Sequence, residues 1–201
     1  MGADLTWQSV DWDRTREAAE KGNLHGQFFD EDADEPGEAF DAEEVELDDA
    51  VSWLRAWHPW MELTELIAKS GLPRSADFER QAALLRELGI LWGSGSSWEQ
   101  DDILKGPTGA RKDVPLPTGD EFEPPFVAAY SPQTLAGLAE RVRAEDWSHF
   151  TRHLDAVRDS ADGEEEPRPS TEEATDLLEA LPDFLESLAE DDRGVLTWLS
   201  F

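Results

Sequence analysis

Three side chains suited to binding a metal ion share one predicted helix in the C-terminal half of the chain. Asp146, His149 and His153 are spaced at i, i+3 and i+7, so a helix would present them along one side. Carboxylate and imidazole groups are zinc ligands, and one further carboxylate from another segment would complete a site. Two histidines four residues apart on an amphipathic helix are usually boundary residues, however. A metal-dependent enzyme using the 146–153 helix is therefore an alternative hypothesis, and no cofactor is predicted.

Other catalytic signatures are missing from the sequence. The chain has no cysteine, which excludes thiolate nucleophiles, thiolate metal sites and disulfides. It contains neither a G-x-S-x-G nucleophile elbow nor a G-x-x-x-x-G-K-[ST] phosphate loop. Carboxylates are so frequent that no pair stands out as a general acid and base. The sequence therefore leans against an enzyme without excluding one.

A DNA-reading motif is suggested by residues 61–92, which predict a helix, a tight turn, a second helix and a short strand. This spacing resembles a winged helix-turn-helix. In such regulators the exposed face of the second helix enters the major groove with basic and amide side chains. A winged helix-turn-helix transcriptional regulator is therefore a second alternative. The side chains that would read DNA are Arg74, Arg80, Gln81 and Arg86.

The charge of the chain weighs against the regulator. The net charge is −30, from 47 Asp and Glu against 17 Lys and Arg. From residue 53 to residue 92 five basic residues balance five acidic ones, so the rest of the chain carries the whole excess. Nucleic-acid affinity comes mainly from neutralising phosphates, and a strongly negative chain repels nucleic acid and anionic membranes. A basic protein is the expected partner, and nucleic acid is not.

The acidic excess is most concentrated between residues 30 and 49. Twelve of these twenty residues are acidic and none is basic. The isolated apolar residues Phe40, Val45 and Leu47 offer little surface to offset ordering entropy, so residues 30–46 are predicted to form an acidic flexible loop. The carboxylates predicted to bind a partner are Asp30, Asp32, Asp34, Glu38, Asp41, Glu43 and Glu44.

Three closely spaced tryptophans follow the acidic segment. Residues 47–49 are predicted to open a helix that carries these tryptophans and that Pro59 ends or kinks. Most such clusters are core, but aromatic side chains are also frequent anchors of protein interfaces. The predicted partner-binding residues therefore include Trp53, Trp57 and Trp60.

Strand and helix patterns at the two ends of the chain predict the fold class. Residues 5–10 alternate like a half-buried strand, residues 126–130 form an apolar run, and residues 195–201 predict a covered C-terminal strand. Helix starts are predicted at Ser131–Pro132 and at the capping box from Ser170 to Glu173. Pro182 is predicted to break or restart the helix that begins at the capping box. The predicted class is α+β, with several amphipathic helices packed on a small mixed sheet that includes the N-terminal, 126–130 and C-terminal strands.

A single α+β domain over residues 1–201 is expected from the length of the chain. Residues 93–125 contain many glycines and five prolines and are predicted to form an irregular connection, where a subdomain boundary could fall. The N-terminus lacks a basic start and an apolar run, and no stretch of about 20 apolar residues exists. The expected location is cytoplasmic, without a membrane contact.

Four segments carry a family resemblance. The N-terminal strand and helix beginning Met1-Gly2 are followed in order by LDDAVSWLRAWH, VAAYSPQTLAGLAERV and DFLESLAEDDRGVLTWLSF. In this order they resemble the uncharacterised YfbM-like family of small bacterial proteins. That family usually carries a Trp just after an acidic-x-Ala start in its central helix, whereas Val51 takes that place here. The resemblance implies an α+β fold, no established activity and no catalytic residues.

Together the patterns favour a non-catalytic, highly acidic binding protein that docks onto a basic protein partner. An immunity or inhibitor-type protein has this surface chemistry, and so does a DNA mimic that occupies a basic nucleic-acid cleft. Complementary charge would speed the encounter, while buried aromatic anchors would supply most of the affinity. The sequence names neither the partner nor the oligomeric state.

Overall fold

Segments near the two ends of the chain and two internal segments meet in an antiparallel sheet. The computed structural model describes residues 4–30, 32–92, 109–117, 126–161 and 168–200. Within these ranges four strands have the order β2-β1-β4-β3. Their bounds are β1 Asp4–Asp11, β2 Glu43–Glu44, β3 Phe126–Tyr130 and β4 Arg193–Ser200.

Seven α-helices occur in the described part of the chain. Four of them begin with a side-chain cap, in which an oxygen accepts a hydrogen bond from a backbone N–H of the first turn; the capping residues are Asp11, Ser75, Ser131 and Ser170. The predicted capping box is present in full, since the Glu173 carboxylate also accepts the Ser170 N–H. The helices are α1 Trp12–Glu20, α2 Leu24–Phe28, α3 Trp57–Lys69, α4 Ala76–Glu87, α5 Pro132–Ala144, α6 Ser148–Ser160 and α7 Thr171–Leu188.

The α+β class with its three predicted strands is confirmed. β1 and β4 pair along their whole lengths, from Asp4 opposite Ser200 to Asp11 opposite Arg193. All pairings among the four strands are antiparallel. A parallel contact is added at the β3 edge by an isolated bridge from Lys112 to Ala129, so the 109–117 segment extends the sheet on that side.

Helices cover both faces of the sheet. Alternate residues of a strand point to opposite faces, so each strand contributes side chains to two clusters. In β4, Val195 and Leu199 belong to a large core cluster that also contains side chains of α3 to α7. Leu196 belongs to a smaller cluster with Val10 and with side chains of α1 and α2. Gly194 lies under Trp12, where an added Cβ would come within 2.8 Å of the indole Cδ2. The Trp12 ring of the smaller cluster therefore packs directly against the backbone at the start of β4.

Two prolines act differently from their prediction. Residues 47–49 do not open a helix; a 3₁₀ turn at Ser52–Arg55 precedes α3, and Pro59 lies in the first turn of α3. Proline is tolerated there because first-turn N–H groups have no intrahelical partner. Pro182 lies inside α7, which continues to Leu188 with Pro182 itself buried. Packing of the α7 stripe against the core outweighs the backbone hydrogen bond that proline removes.

The prediction of a short strand at the end of residues 61–92 is wrong. Gly89 has φ +71°, and Ile90, Leu91 and Trp92 follow it as an irregular turn. All three of these apolar side chains are buried in the large cluster. The apolar run 90–92 therefore packs into the core as a turn and does not pair as a strand of the sheet. Most of the predicted irregular connection 93–125 lies outside the described residues.

The acidic segment has defined local structure, although its composition predicts a loop. A 3₁₀ turn spans Glu38–Phe40, and β2 pairs with β1 through Glu43 and Glu44. Phe40 is 1% exposed, and its ring stacks on Phe28 at a centroid distance of 5.9 Å. The Val45 N–H donates to the Trp7 carbonyl oxygen at 3.0 Å. Apolar residues too few to build a core of their own are buried in a core made by other segments.

Candidate partner-binding surface

The three candidate metal ligands do not form a site. The Asp146 carboxylate accepts the Ser148 N–H at 3.1 Å just before α6 begins. The His149 ring lies 3.5 Å from the Arg152 guanidinium and 3.8 Å from the Asp77 carboxylate. The His153 ring lies against Phe78 with centroids 4.1 Å apart. Within the described ranges no group of three or more His, Asp or Glu side chains could hold a metal ion. Asp146 lies before α6 rather than on it, and the two histidines each contact α4 instead of facing a shared ligand.

His153 is a boundary residue of the helix packing. Its Nε2 is buried and has no hydrogen-bond partner among the described residues. Burial, followed by the nearby Arg74 guanidinium, lowers the pKa of His153 below its usual 6.5. The neutral imidazole therefore serves as an aromatic surface for α4.

Polar side chains of α4 form hydrogen bonds with other residues of the same chain. The Arg80 guanidinium donates to both carboxylate oxygens of Glu145, at 2.8 and 2.9 Å, and to Asp77 at 2.7 Å. Gln81 is fully buried, and its amide donates to the Asp146 carbonyl oxygen at 2.6 Å. The Arg80 hydrogen bonds lower the pKa of Glu145, which keeps this carboxylate charged. Arg80 and Gln81 thus join α4 to the turn before α6.

The other two residues of the predicted DNA-reading face are also close to the body of the protein. Arg74 pairs with Glu79 at 3.3 Å and donates to the Ile67 carbonyl oxygen. Arg86 is half-buried and lines a small depression beside Arg74. A recognition helix needs a free face to enter a major groove. Arg74 lies before α4, and of the predicted residues on α4, Arg80 and Gln81 are bonded to the turn before α6.

Two of the three tryptophans predicted to bind a partner are core residues. Trp57 is 7% exposed and lies edge-on to Trp92, and Trp60 is 2% exposed with its indole N–H donated to the Trp53 carbonyl oxygen. Trp53 is half-buried against the same cluster. A buried aromatic side chain cannot anchor a partner without opening the core. Of the three tryptophans predicted to bind a partner, only Trp53 therefore remains a candidate.

The seven predicted acidic residues are all exposed and lie on one continuous segment. Two of them are paired with cations: Glu44 accepts from Arg55 at 2.8 Å, and Asp41 lies 3.1 Å from Arg193. The other five make no ion pair with any described residue; they are Asp30, Asp32, Asp34, Glu38 and Glu43. These carboxylates lie on one exposed segment of the surface, which we call the acidic ledge (residues 30 and 32–45).

The Arg193 side chain attaches the acidic ledge to the sheet in addition to the pairing of β2 with β1. The Arg193 guanidinium donates to the Ser9 hydroxyl and carbonyl oxygens at 2.7 and 3.0 Å and also binds Asp41. Gly37 has φ +83°, and its N–H donates to the Phe28 carbonyl oxygen at 2.7 Å. Sequence reasoning missed these anchors because the bonded residues are far apart in the chain. The signal was the recurrence of Phe40 and Val45 within an otherwise polar run.

A groove lies next to the ledge, between residues 46–51 and α7, with a volume of about 600 Å³. Its apolar lining residues are buried or half-buried and are called the floor, whereas its acidic lining residues are exposed and are called the rim. Sequence reasoning did not single out α7, because the apolar side chains on this side belong to the same helical stripe as the core residues. The groove is lined by Glu46, Leu47, Asp48, Val51, Ala180, Asp183, Phe184 and Ser187.

The comparisons with known proteins add no relative. No family model, curated protein or solved structure matches this chain. No helix in the described ranges is long and apolar enough to cross a membrane. The resemblances to the YfbM-like family and to a winged helix-turn-helix remain predictions, so the chemistry of the surface has to carry the functional conclusion.

Proposed function

We propose that this protein is a non-catalytic binding protein that docks onto a basic protein partner through the acidic ledge, in the manner of an immunity or inhibitor protein. The observation that supports this most is the fixed position of unpaired charge. Five exposed carboxylates of the ledge lack a described cation, while buried Phe40 and the Arg193 hydrogen bonds tie the segment to the sheet. Ordering a flexible acidic loop on binding would cost entropy, and an anchored ledge avoids that cost.

Charge complementarity accounts for the expected kinetics. Like charges spread along the ledge raise the local negative potential, which attracts a basic surface over roughly a Debye length, about 10 Å at 0.1 M salt. Such steering raises association rates by about tenfold or more and is screened as salt is added. The regulator and metal-enzyme alternatives gain no comparable support, because Arg80, Gln81 and His153 make contacts within the chain.

The test begins with a partner captured from native lysate and identified by mass spectrometry. Its association rate with the purified protein is then measured by stopped flow over a range of ionic strength. We expect a basic partner and a rate that falls steeply as salt rises. A rate that does not change with salt, or an acidic partner, would contradict the proposal.

A charge-neutral variant locates the binding surface. The variant combines Asp32→Asn, Asp34→Asn, Glu38→Gln and Glu43→Gln, which keep the hydrogen-bond acceptors of the ledge. We expect about tenfold slower association at low salt. The matched control neutralises four exposed acidic residues outside the ledge and should associate at a rate near that of the wild type. It combines Glu20→Gln, Glu140→Gln, Asp159→Asn and Glu172→Gln.

A further inference from the structure

The groove beside the acidic ledge differs from the ledge in having an apolar floor. Leu47, Ala180 and Phe184 are only partly buried, although each packs against the large core cluster. The Phe184 ring lies edge-on to Trp7 at a centroid distance of 6.1 Å, which fixes one side of the ring against the core. Apolar surface left in contact with water at a concave site favours an apolar side chain from a partner.

The rim of the groove is acidic on both sides. Glu46 and Asp48 lie on one side, and the Asp48 carboxylate accepts the N–H groups of Ala50 and Val51, which holds it at the turn. On the α7 side, Asp183 accepts a hydrogen bond from Arg143 at 2.9 Å, yet its side chain is 88% exposed. Among the eight residues that line the groove, three are acidic, four are apolar and none is basic.

This combination restricts the chemistry of the occupant. A nucleic acid or an anionic lipid surface is repelled by the rim, and a second copy of this chain carries the same net charge of −30. A purely polar cation would leave the apolar floor uncovered. A purely apolar segment would leave the Glu46 and Asp48 carboxylates without a cation, whereas Asp183 is already bonded to Arg143. An amphipathic basic segment satisfies both surfaces.

We propose that the groove between residues 46–51 and α7 binds a short amphipathic basic segment of the protein partner, with an aliphatic or aromatic side chain on the floor and lysine or arginine side chains on the rim. The inference rests on the proposed function and adds to it the type of segment that the partner must present. The ledge accelerates the encounter, whereas the groove supplies the short-range selectivity for apolar side chains.

The experiment uses two labelled synthetic peptides with the same number of lysines, interspersed with leucines in one and with serines in the other. Binding to the full-length protein is followed by fluorescence anisotropy. We expect the leucine peptide to bind about tenfold more tightly than the serine peptide, since burial of one aliphatic side chain is worth about that factor.

Two variants separate the groove from charge in general. Ala180→Gln places a longer, neutral side chain on the floor and should remove most of the preference for the leucine peptide. Ala156→Gln makes the same substitution at an exposed position of α6 and should leave the preference unchanged. Because both changes are at helical positions near the surface, their effects on helix propensity are matched.

The outcomes distinguish this inference from the proposed function. Equal binding of the two peptides that weakens with salt would overturn the groove and leave the charge-based proposal standing. A leucine preference that is lost in Ala180→Gln, together with affinities of both peptides that do not change with salt, would support the groove and contradict the electrostatic proposal. No binding of either peptide at low salt would overturn both. Dimerisation of the wild type that Ala180→Gln abolishes would assign the groove to a second copy and overturn the inference.

Discussion

Truncation of Phe40 tests whether buried side chains hold the acidic ledge in place. The Phe40 ring is 1% exposed and belongs to the smaller core cluster with Phe28. Replacing a buried Phe with Ala generally costs about 3–5 kcal/mol of unfolding free energy. Phe40 also lines a surface depression beside α1 and α2, so the site can partly collapse. We therefore expect Phe40→Ala to lose about 3 kcal/mol, the lower end of that range.

The assay combines urea denaturation with amide hydrogen exchange. The Gly37 N–H and the Val45 N–H are bonded to carbonyl oxygens of α2 and β1, so they report on the attachment of the ledge. In Phe40→Ala we expect these two amides to lose more protection than the amides of β4, because the ledge opens before the sheet does.

Phe150→Ala is the matched control for this prediction. Phe150 is fully buried in the large cluster, away from the ledge. Its truncation should destabilise the whole protein by a similar amount without a selective loss at Gly37 and Val45. Unchanged exchange of those two amides in Phe40→Ala, or an equal selective loss in Phe150→Ala, would refute the assignment of Phe40 as the anchor.

Three further predictions concern stability. Gly194→Ala should lower the free energy of unfolding in urea by about 2 kcal/mol or more, because its methyl group collides with the Trp12 indole. Glu145→Gln should be destabilising at neutral pH, because it removes a carboxylate with a lowered pKa, and its deficit should shrink as the pH falls below 4.5 in urea titrations. His153→Leu should gain stability relative to the wild type as the pH falls below 6.5, because the unfolded histidine binds a proton more readily than the buried one.

Each of these predictions has a specific contrary result. Gly137 has open space around its Cβ position, so Gly137→Ala should stabilise α5 by about 0.5–1 kcal/mol, and equal effects at the two glycines would contradict the collision. A deficit in Glu145→Gln that stays constant down to acid pH would show that its ion pair does not contribute through charge. A His153→Leu difference independent of pH would show that burial does not perturb this imidazole.

Local chemistry was sufficient to predict most helix starts and the sheet-forming segments. Ser131 before Pro132 and the Ser170–Glu173 capping box predicted α5 and α7, because a cap is made within a few residues of itself. The apolar run at 126–130 predicted β3, since every one of its side chains is buried. Such features depend on residues that are close in the chain, so they can be predicted without knowledge of the fold.

Errors arose where tertiary packing outweighed a local preference. Pro182 remains inside α7 because both it and its neighbours are buried against the core. The apolar residues 90–92 fill the core as a turn rather than pairing as a strand. Burial of an apolar side chain is favourable in a helix, a strand or a turn. Periodicity alone therefore cannot predict which of these conformations a short apolar run adopts.

The sequence by itself determined the amount of negative charge, its concentration in residues 30–49 and the α+β class. The tertiary structure decided which charges are paired. Arg80 meets Glu145 across 65 positions, and Arg193 meets Asp41 across 152. The groove likewise exists only where Leu47 and Phe184 come together from separate segments. Hydrogen bonds and burial act over a few ångströms of space, and the distance along the chain does not specify which residues approach that closely.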